Sequence, residues 1–165
     1  MLIADIKKND CTNGKGVCVS LWTAYCPFKC KGCHNSSIWS EESGKQIDDN
    51  ILIEDLKTYL DANGIQRNFS ILGGEPLSKI NLDSTLKVLK AIKEYFKGTD
   101  SKIYLWTGYT IEELKDLGGK YVECLKYIDF LIEGRYIEEL RDVTLDLRGS
   151  SNQRIFNKEE LAKYC

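Results

Sequence analysis

Apolar residues recur along this chain in two rhythms, short runs suited to strands and longer stretches with helical spacing. Residues 2–25 read as two strands punctuated by Asn13-Gly14-Lys15-Gly16, the second running from Val17 to Trp22. Leu52, Leu56, Tyr59 and Leu60 then share one helical face, with Asp48 or Asp49 placed to cap it and Asn63-Gly64 to stop it. Asn68 to Leu72 reads as a short strand ending in Gly73-Gly74-Glu75-Pro76. A second helix carries Leu82, Leu86, Leu89, Ile92 and Phe96 on one side and closes at Gly98. Lys102 to Trp106 is the next strand, broken by Thr107-Gly108-Tyr109, and Thr110 with Glu113 spells the capping box of another helix. Ile128 to Ile132 forms a strand closed by Glu133-Gly134-Arg135. A polar stretch, Arg148 to Gln153, precedes a last short strand and a helix from about Lys158.

Strands alternating with helices predict βαβ units and an α/β fold with a mostly parallel sheet. In such sheets ligands gather at the C-terminal strand ends. The segments that follow the strands, among them Gly73 to Pro76, Thr107 to Tyr109 and Glu133-Gly134, should therefore meet at one edge. A closed eight-stranded α/β barrel typically needs about 250 residues. The 165 residues here allow an incomplete, open one, in a single domain spanning 1–165. No repeat, low-complexity tract or linker interrupts it.

Composition narrows the function by exclusion. A net charge of −2 gives no bulk attraction for nucleic acid or a membrane surface. No apolar run approaches the roughly 20 residues of a membrane span. The start of the chain, MLIADIKKND, lacks a secretory apolar stretch, so a cytoplasmic protein is expected.

Seven cysteines cannot all pair within the chain, and three of them, Cys26, Cys30 and Cys33, crowd one eight-residue window. Thiolates suit iron–sulfur clusters, zinc and copper(I). Three of them, with no fourth nearby, leave one iron of a four-iron cluster open to a substrate. A structural zinc site of Cys26, Cys30, Cys33 and His34 is the plainer alternative. It would require adjacent residues, Cys33 and His34, to face one tetrahedral ion. A dithiol using Cys30 and Cys33 leaves Cys26 unexplained.

Cys-x3-Cys-x2-Cys-His-Asn followed by Gly-Gly-Glu-Pro resembles the radical S-adenosylmethionine (SAM) superfamily. Within it, the resemblance is greatest to the activating enzymes of anaerobic (class III) ribonucleotide reductase. The matching tracts are Asn13-Gly14, Cys26 to Asn35 with Trp39, Gly73 to Leu77, Leu105 to Tyr109, Glu133 to Arg135, and Arg148 to Gln153. The chain departs from similar members at Lys15, where Pro is common, at Cys18 (Arg), at Tyr25 (Gly) and at Glu133 (Asp).

The resemblance implies an open barrel of the radical SAM type. Cys26, Cys30 and Cys33 would bind three irons of a [4Fe–4S] cluster, and the SAM amine and carboxylate would bind the fourth. Gly73, Gly74 and Glu75 would meet the SAM amine, and Gly32, Cys33 and His34 would lie against the adenine. Thr107, Gly108, Ser151 and Asn152 would meet the ribose or carboxylate, although each is equally open to turn chemistry. One electron from a flavodoxin- or ferredoxin-like donor would cleave SAM to a 5′-deoxyadenosyl radical. That radical would take a Cα hydrogen from a glycine of the anaerobic ribonucleoside-triphosphate reductase. An activase of another glycyl radical enzyme, of the pyruvate formate-lyase type, and a non-enzymatic metal or electron-transfer module remain alternatives. Arg135 and Tyr136, just past the last well-defined strand, are expected on the rim where a partner docks.

Overall fold

The strands expected to run parallel form the middle of one seven-stranded sheet. A computed structural model describing residues 1–165 places β1 (Leu2–Asp10), β2 (Cys18–Thr23), β3 (Lys45–Gln46), β4 (Asn68–Gly73), β5 (Ile103–Thr107), β6 (Phe130–Glu133) and β7 (Arg154–Asn157) in the order β3-β1-β2-β4-β5-β6-β7. β2, β4, β5 and β6 are parallel, and antiparallel strands flank them on both sides. The sheet is open. β3, only two residues long, had no legible pattern of its own.

Five helices complete the chain: α1 (Asp49–Leu60), α2 (Leu82–Tyr95), α3 (Ile111–Leu117), α4 (Gly119–Leu125) and α5 (Lys158–Leu161). Their local signals are those the sequence announces. Asp48 accepts from the backbone N–H groups of Asn50 and Ile51 at the start of α1. Thr110 and Glu113 form a reciprocal capping box on α3. The expected single helix after Thr110 breaks in two, because Gly118 turns left-handed at φ 61° between α3 and α4. No helix is long and apolar enough to cross a membrane.

From β2 to β6 each crossover moves one strand over in the same direction. Right-handed crossovers then place α1, α2 and the α3–α4 pair on one face. Val19 and Leu21, Phe69 and Ile71, Ile103 and Leu105, and Leu131 point from alternate strand positions into one core with Leu52, Leu56, Leu89 and Leu114. Each fully buried side chain of this kind contributes roughly 1.5–3 kcal/mol. The opposite face carries Cys18, Ser20, Ser70 and Tyr104, also buried. Residues 11–17 lie across it near the N-terminal strand ends. The Lys15 N–H donates to the Tyr104 hydroxyl at 3.4 Å, Asn68 donates to the Lys15 carbonyl at 2.6 Å, and Ser70 donates to the Asn13 carbonyl. That end is closed and the C-terminal end is left for chemistry.

One buried side chain joins β1 to this working end. Asn81, fully buried, accepts from the Leu2 N–H at 3.1 Å and donates to the Ala24 carbonyl at 2.9 Å. Asn81→Ala strands both backbone groups away from water, at about 1–3 kcal/mol for each. Urea unfolding should register a loss of at least 2 kcal/mol at unchanged slope, and a loss below about 0.5 kcal/mol would show that the tie is dispensable.

Candidate functional site

The C-terminal ends of β4, β5 and β6 border one open cavity of about 810 Å³. Its walls include Gly73, Gly74 and Glu75 after β4, Trp106, Thr107 and Gly108 at β5, and Gly134, Arg135 and Tyr136 after β6. Cys26, Cys30, Gly32, Cys33 and His34 line the same space. The convergence expected from the sequence is present. None of Cys11, Cys18, Cys124 or Cys165 borders the cavity.

The cysteine loop is held at its root by backbone. Tyr25 donates to the Ile38 carbonyl at 2.9 Å, Cys26 donates to the Trp39 carbonyl at 3.1 Å, and the Tyr25 carbonyl accepts from the Glu75 N–H at 2.7 Å. Tyr25 holds φ at 72°, a left-handed conformation that costs a side-chain-bearing residue about 1–2 kcal/mol. A glycine would take up this conformation without that cost. Phe28 fixes the middle of the loop. Its ring meets Tyr109 edge-on at 4.8 Å and carries the Arg135 guanidinium at 4.3 Å, while Gly108 leaves the room it occupies. Arg135 in turn pairs with Glu113 at 2.9 Å. That residue, expected on a docking rim, is engaged in bracing the loop.

Asn35 ties the loop's far end to the turn after β4. Its side chain donates to the Gly73 carbonyl at 3.0 Å, and its N–H meets Cys33 Sγ at 3.4 Å. Sequence reasoning quoted Asn35 within the motif but gave it no task.

Glu75 is 1% exposed, and every partner of its carboxylate is a donor. Oε1 accepts from Leu77 N at 2.8 Å and Thr107 Oγ1 at 2.8 Å, and Oε2 accepts from Gly108 N at 2.7 Å. Burial pushes its pKa up to about 7, against the pull of those hydrogen bonds and of Arg135. The same residue's backbone N–H holds Tyr25. The Thr107 hydroxyl is occupied twice, donating to Glu75 and accepting from Tyr109 N at 3.2 Å. Thr107 also lines the cysteine cavity.

Burial also pushes the Cys26 thiol up to about 11, opposed by the backbone N–H of Phe28 and reinforced by Glu75. Cys30 is raised by burial and by Cys33, with the Tyr136 N–H and Arg135 opposing. These thiols, each facing backbone N–H donors, fit the ligand set of an iron–sulfur cluster, whose irons take their thiolates one by one.

Asn152 is not among the residues that line the cysteine cavity. It borders a neighbouring cavity and donates to the Arg135 carbonyl at 2.8 Å. Ser151 is committed through its N–H to the Leu140 carbonyl at 2.9 Å. Gln153 instead reaches the cysteine cavity, donating to the Gly134 carbonyl and accepting from Gly149 N, both at 2.8 Å. Arg148, Gly149 and Gln153 of this polar tract line the cavity. Glu133, at 1% exposure, is likewise occupied by Ile111 N at 3.0 Å and Arg154 at 2.5 Å.

A Cβ on Gly74 would run into the Tyr25 carbonyl, and one on Gly73 would stand 2.7 Å from the Thr23 carbonyl. The close approach that these glycines permit is to the backbone leading into Cys26. Gly74→Ala should therefore cut iron uptake during anaerobic reconstitution several-fold while circular dichroism keeps the sheet signal. Full iron occupancy would show that the loop tolerates the shift. Glu75 supplies a pH test on the metal-free chain. Its folded pKa lies above the ordinary 4.5, so the folded state holds a proton that the unfolded state has released between pH 4.5 and 7. Stability thus falls by on the order of 3 kcal/mol as pH rises through that window. Glu75→Gln should be less stable than wild type near pH 5, with the gap narrowing by pH 8. A gap that widens with pH would assign the carboxylate the opposite sign.

A family model described as a 4Fe-4S single cluster domain matches residues 12–156. The chain is 39% identical to the anaerobic ribonucleoside-triphosphate reductase-activating protein of Vibrio cholerae, over 88% of this chain and 91% of that protein. It is 36% identical to the protein of that name from Haemophilus influenzae, over 88% and 91%, and 35% identical to that of Enterobacteria phage T4, over 92% and 90%. With its three cysteines gathered in one cavity and these likenesses spanning most of its length, the chain belongs to the family of anaerobic ribonucleoside-triphosphate reductase-activating proteins, which carry a 4Fe-4S cluster domain.

Proposed function

We infer that this chain is a radical SAM activase of an anaerobic ribonucleoside-triphosphate reductase, built on an opened β/α barrel. The observation that carries this reading is the presence of three thiols, and no fourth, in an open cavity at the C-terminal strand ends. A bound cluster would supply one-electron reductive cleavage of SAM, with the electron drawn from a flavodoxin- or ferredoxin-like donor and a glycine Cα hydrogen of the reductase as the target. The chain's own residues bind and position. Cys26, Cys30 and Cys33 hold three irons and leave one position for the SAM amine and carboxylate. Gly73 and Gly74 bring backbone into the cavity, and Gly32 and the exposed His34 line the same space.

Glu75 acts one step removed, orienting Tyr25, Thr107 and Gly108 rather than touching the reacting atoms. Holding two reactants in register supplies a large part of a rate enhancement, and an error of about 1 Å costs on the order of a hundredfold. The hydrogen bonds that anchor the cysteine loop serve that register.

Replacing Cys26, Cys30 or Cys33 by Ala should abolish the four-iron content and the formation of 5′-deoxyadenosine. Cys11→Ala and Cys165→Ala, both at exposed positions outside the cavity, should retain both. Iron and sulfide analysis with product quantification checks this. Loss of the cluster in Cys11→Ala with retention in Cys26→Ala would reverse the ligand assignment. A glycyl signal in electron paramagnetic resonance, from reconstituted protein, SAM, dithionite and reductase together, tests the activity itself.

A further inference from the structure

Three of the seven exposed large aliphatic residues, Ile137, Leu140 and Val143, fall within one short stretch beside the cysteine cavity, while Ile51, Ile65, Ile80 and Leu117 stand apart from one another in the chain. Val143 is 80% exposed and Leu140 is 42% exposed. Single exposed aliphatics need no explanation, but a cluster at the mouth of a reactive cavity marks a surface that is covered in use.

The stretch is presented by a small hairpin. Arg141 and Ser150 form an antiparallel bridge, Ser151 N donates to the Leu140 carbonyl at 2.9 Å, and Asp142 N donates to the Gly149 carbonyl at 3.2 Å. Trp106 Nε1, from β5, donates to the Leu147 carbonyl at 2.9 Å. Gln153 clasps Gly149 N and the Gly134 carbonyl. At the tip, the Asp142 carboxylate turns back onto Thr144 N at 2.9 Å and Oγ1 at 2.6 Å. The base is thus fastened to the ends of β5 and β6, and the aliphatic side chains are held outward at little further entropic cost.

We propose that this hairpin, residues 140–151, is the docking lip for the glycine-bearing loop of the reductase, with Leu140 and Val143 as its apolar contacts. The inference rests on the function assigned above, and that function selects the occupant. A glycine on a protein chain reaches the thiols only by crossing the cavity mouth, so the surface that meets it lies there. Arg135 is held by Glu113 and Phe28 and is less free to serve. A small-molecule substrate would leave bare aliphatic side chains at the lip with nothing to cover them.

The test uses the reconstituted holoprotein and the reductase. Leu140→Glu and Val143→Glu should each weaken binding to the reductase about tenfold or more, with Val143→Ile close to wild type. Glycyl radical yield at subsaturating reductase should fall in step and recover as reductase is raised. Formation of 5′-deoxyadenosine without reductase should stay at the wild-type level in Leu140→Glu, whose side chain is outside the cavity lining. Unchanged binding in both glutamate variants overturns the lip, as does an equal loss of uncoupled SAM cleavage, which would place these residues in the SAM site. The binding arm needs no chemistry. A wild-type protein that binds the reductase through this hairpin yet forms no 5′-deoxyadenosine would overturn the functional reading and leave the lip standing.

Discussion

Three strand ends are lashed together by one residue. The Glu75 N–H holds the Tyr25 carbonyl just past β2, its own backbone continues the turn after β4, and its carboxylate receives Thr107 and Gly108 at the end of β5. A charge taken fully out of water is costly, and here it is compensated by three donors and the nearby Arg135. No other residue type does this in the same space. Gln loses an acceptor, Asp is too short, and an apolar residue leaves three donors unpaired. Cys26 directly follows Tyr25, so the position of the first thiol depends on this buried carboxylate.

From that knot the two ends of the sheet diverge. At the N-terminal strand ends, Asn13, Gly14 and Lys15 cover Ser70 and Tyr104. At the C-terminal ends the polypeptide stays out of the centre and builds a rim instead. The same carboxylates that start α3 serve that rim. Glu113 completes the capping box and holds Arg135, while Glu112 holds Arg154, which also reaches Glu133. Exposed ion pairs contribute little to stability. Their value here is that they fix Arg135 over Phe28, and so fix the loop between the first two cysteines.

What the sequence made legible, and what it hid, divides along physical lines. Periodicity located the long elements because each must bury one face, as Leu52, Leu56 and Leu89 do. Capping at Asp48 and Thr110 was legible because it is written within four residues. The cysteine cavity followed from topology, since parallel strands deliver their following loops to one edge. Side-chain direction in those loops was not legible. Ser, Thr and Asn serve a ligand or the backbone with the same groups, and the bonds that Thr107 makes to Glu75 and Asn152 makes to the Arg135 carbonyl carry no signature in the sequence. The closeness of Gly74 to Tyr25 was hidden for a related reason. Two glycines announce an approach but do not name what approaches.

The protonation of the thiols adds a constraint on assembly. With Cys26 pushed up to about 11 and Cys30 also raised, the metal-free loop holds neutral thiols at physiological pH. A thiol is a poor nucleophile and a slow target for oxidants compared with its thiolate. On the assignment proposed for these residues, iron must displace the protons as it binds, so cluster formation releases acid and is favoured by rising pH. Rising pH also ionises Glu75 at a cost to the knot beneath the loop. The two dependences run in opposite directions. Metal uptake by the loop and the hold beneath it therefore favour opposite ends of the same pH range.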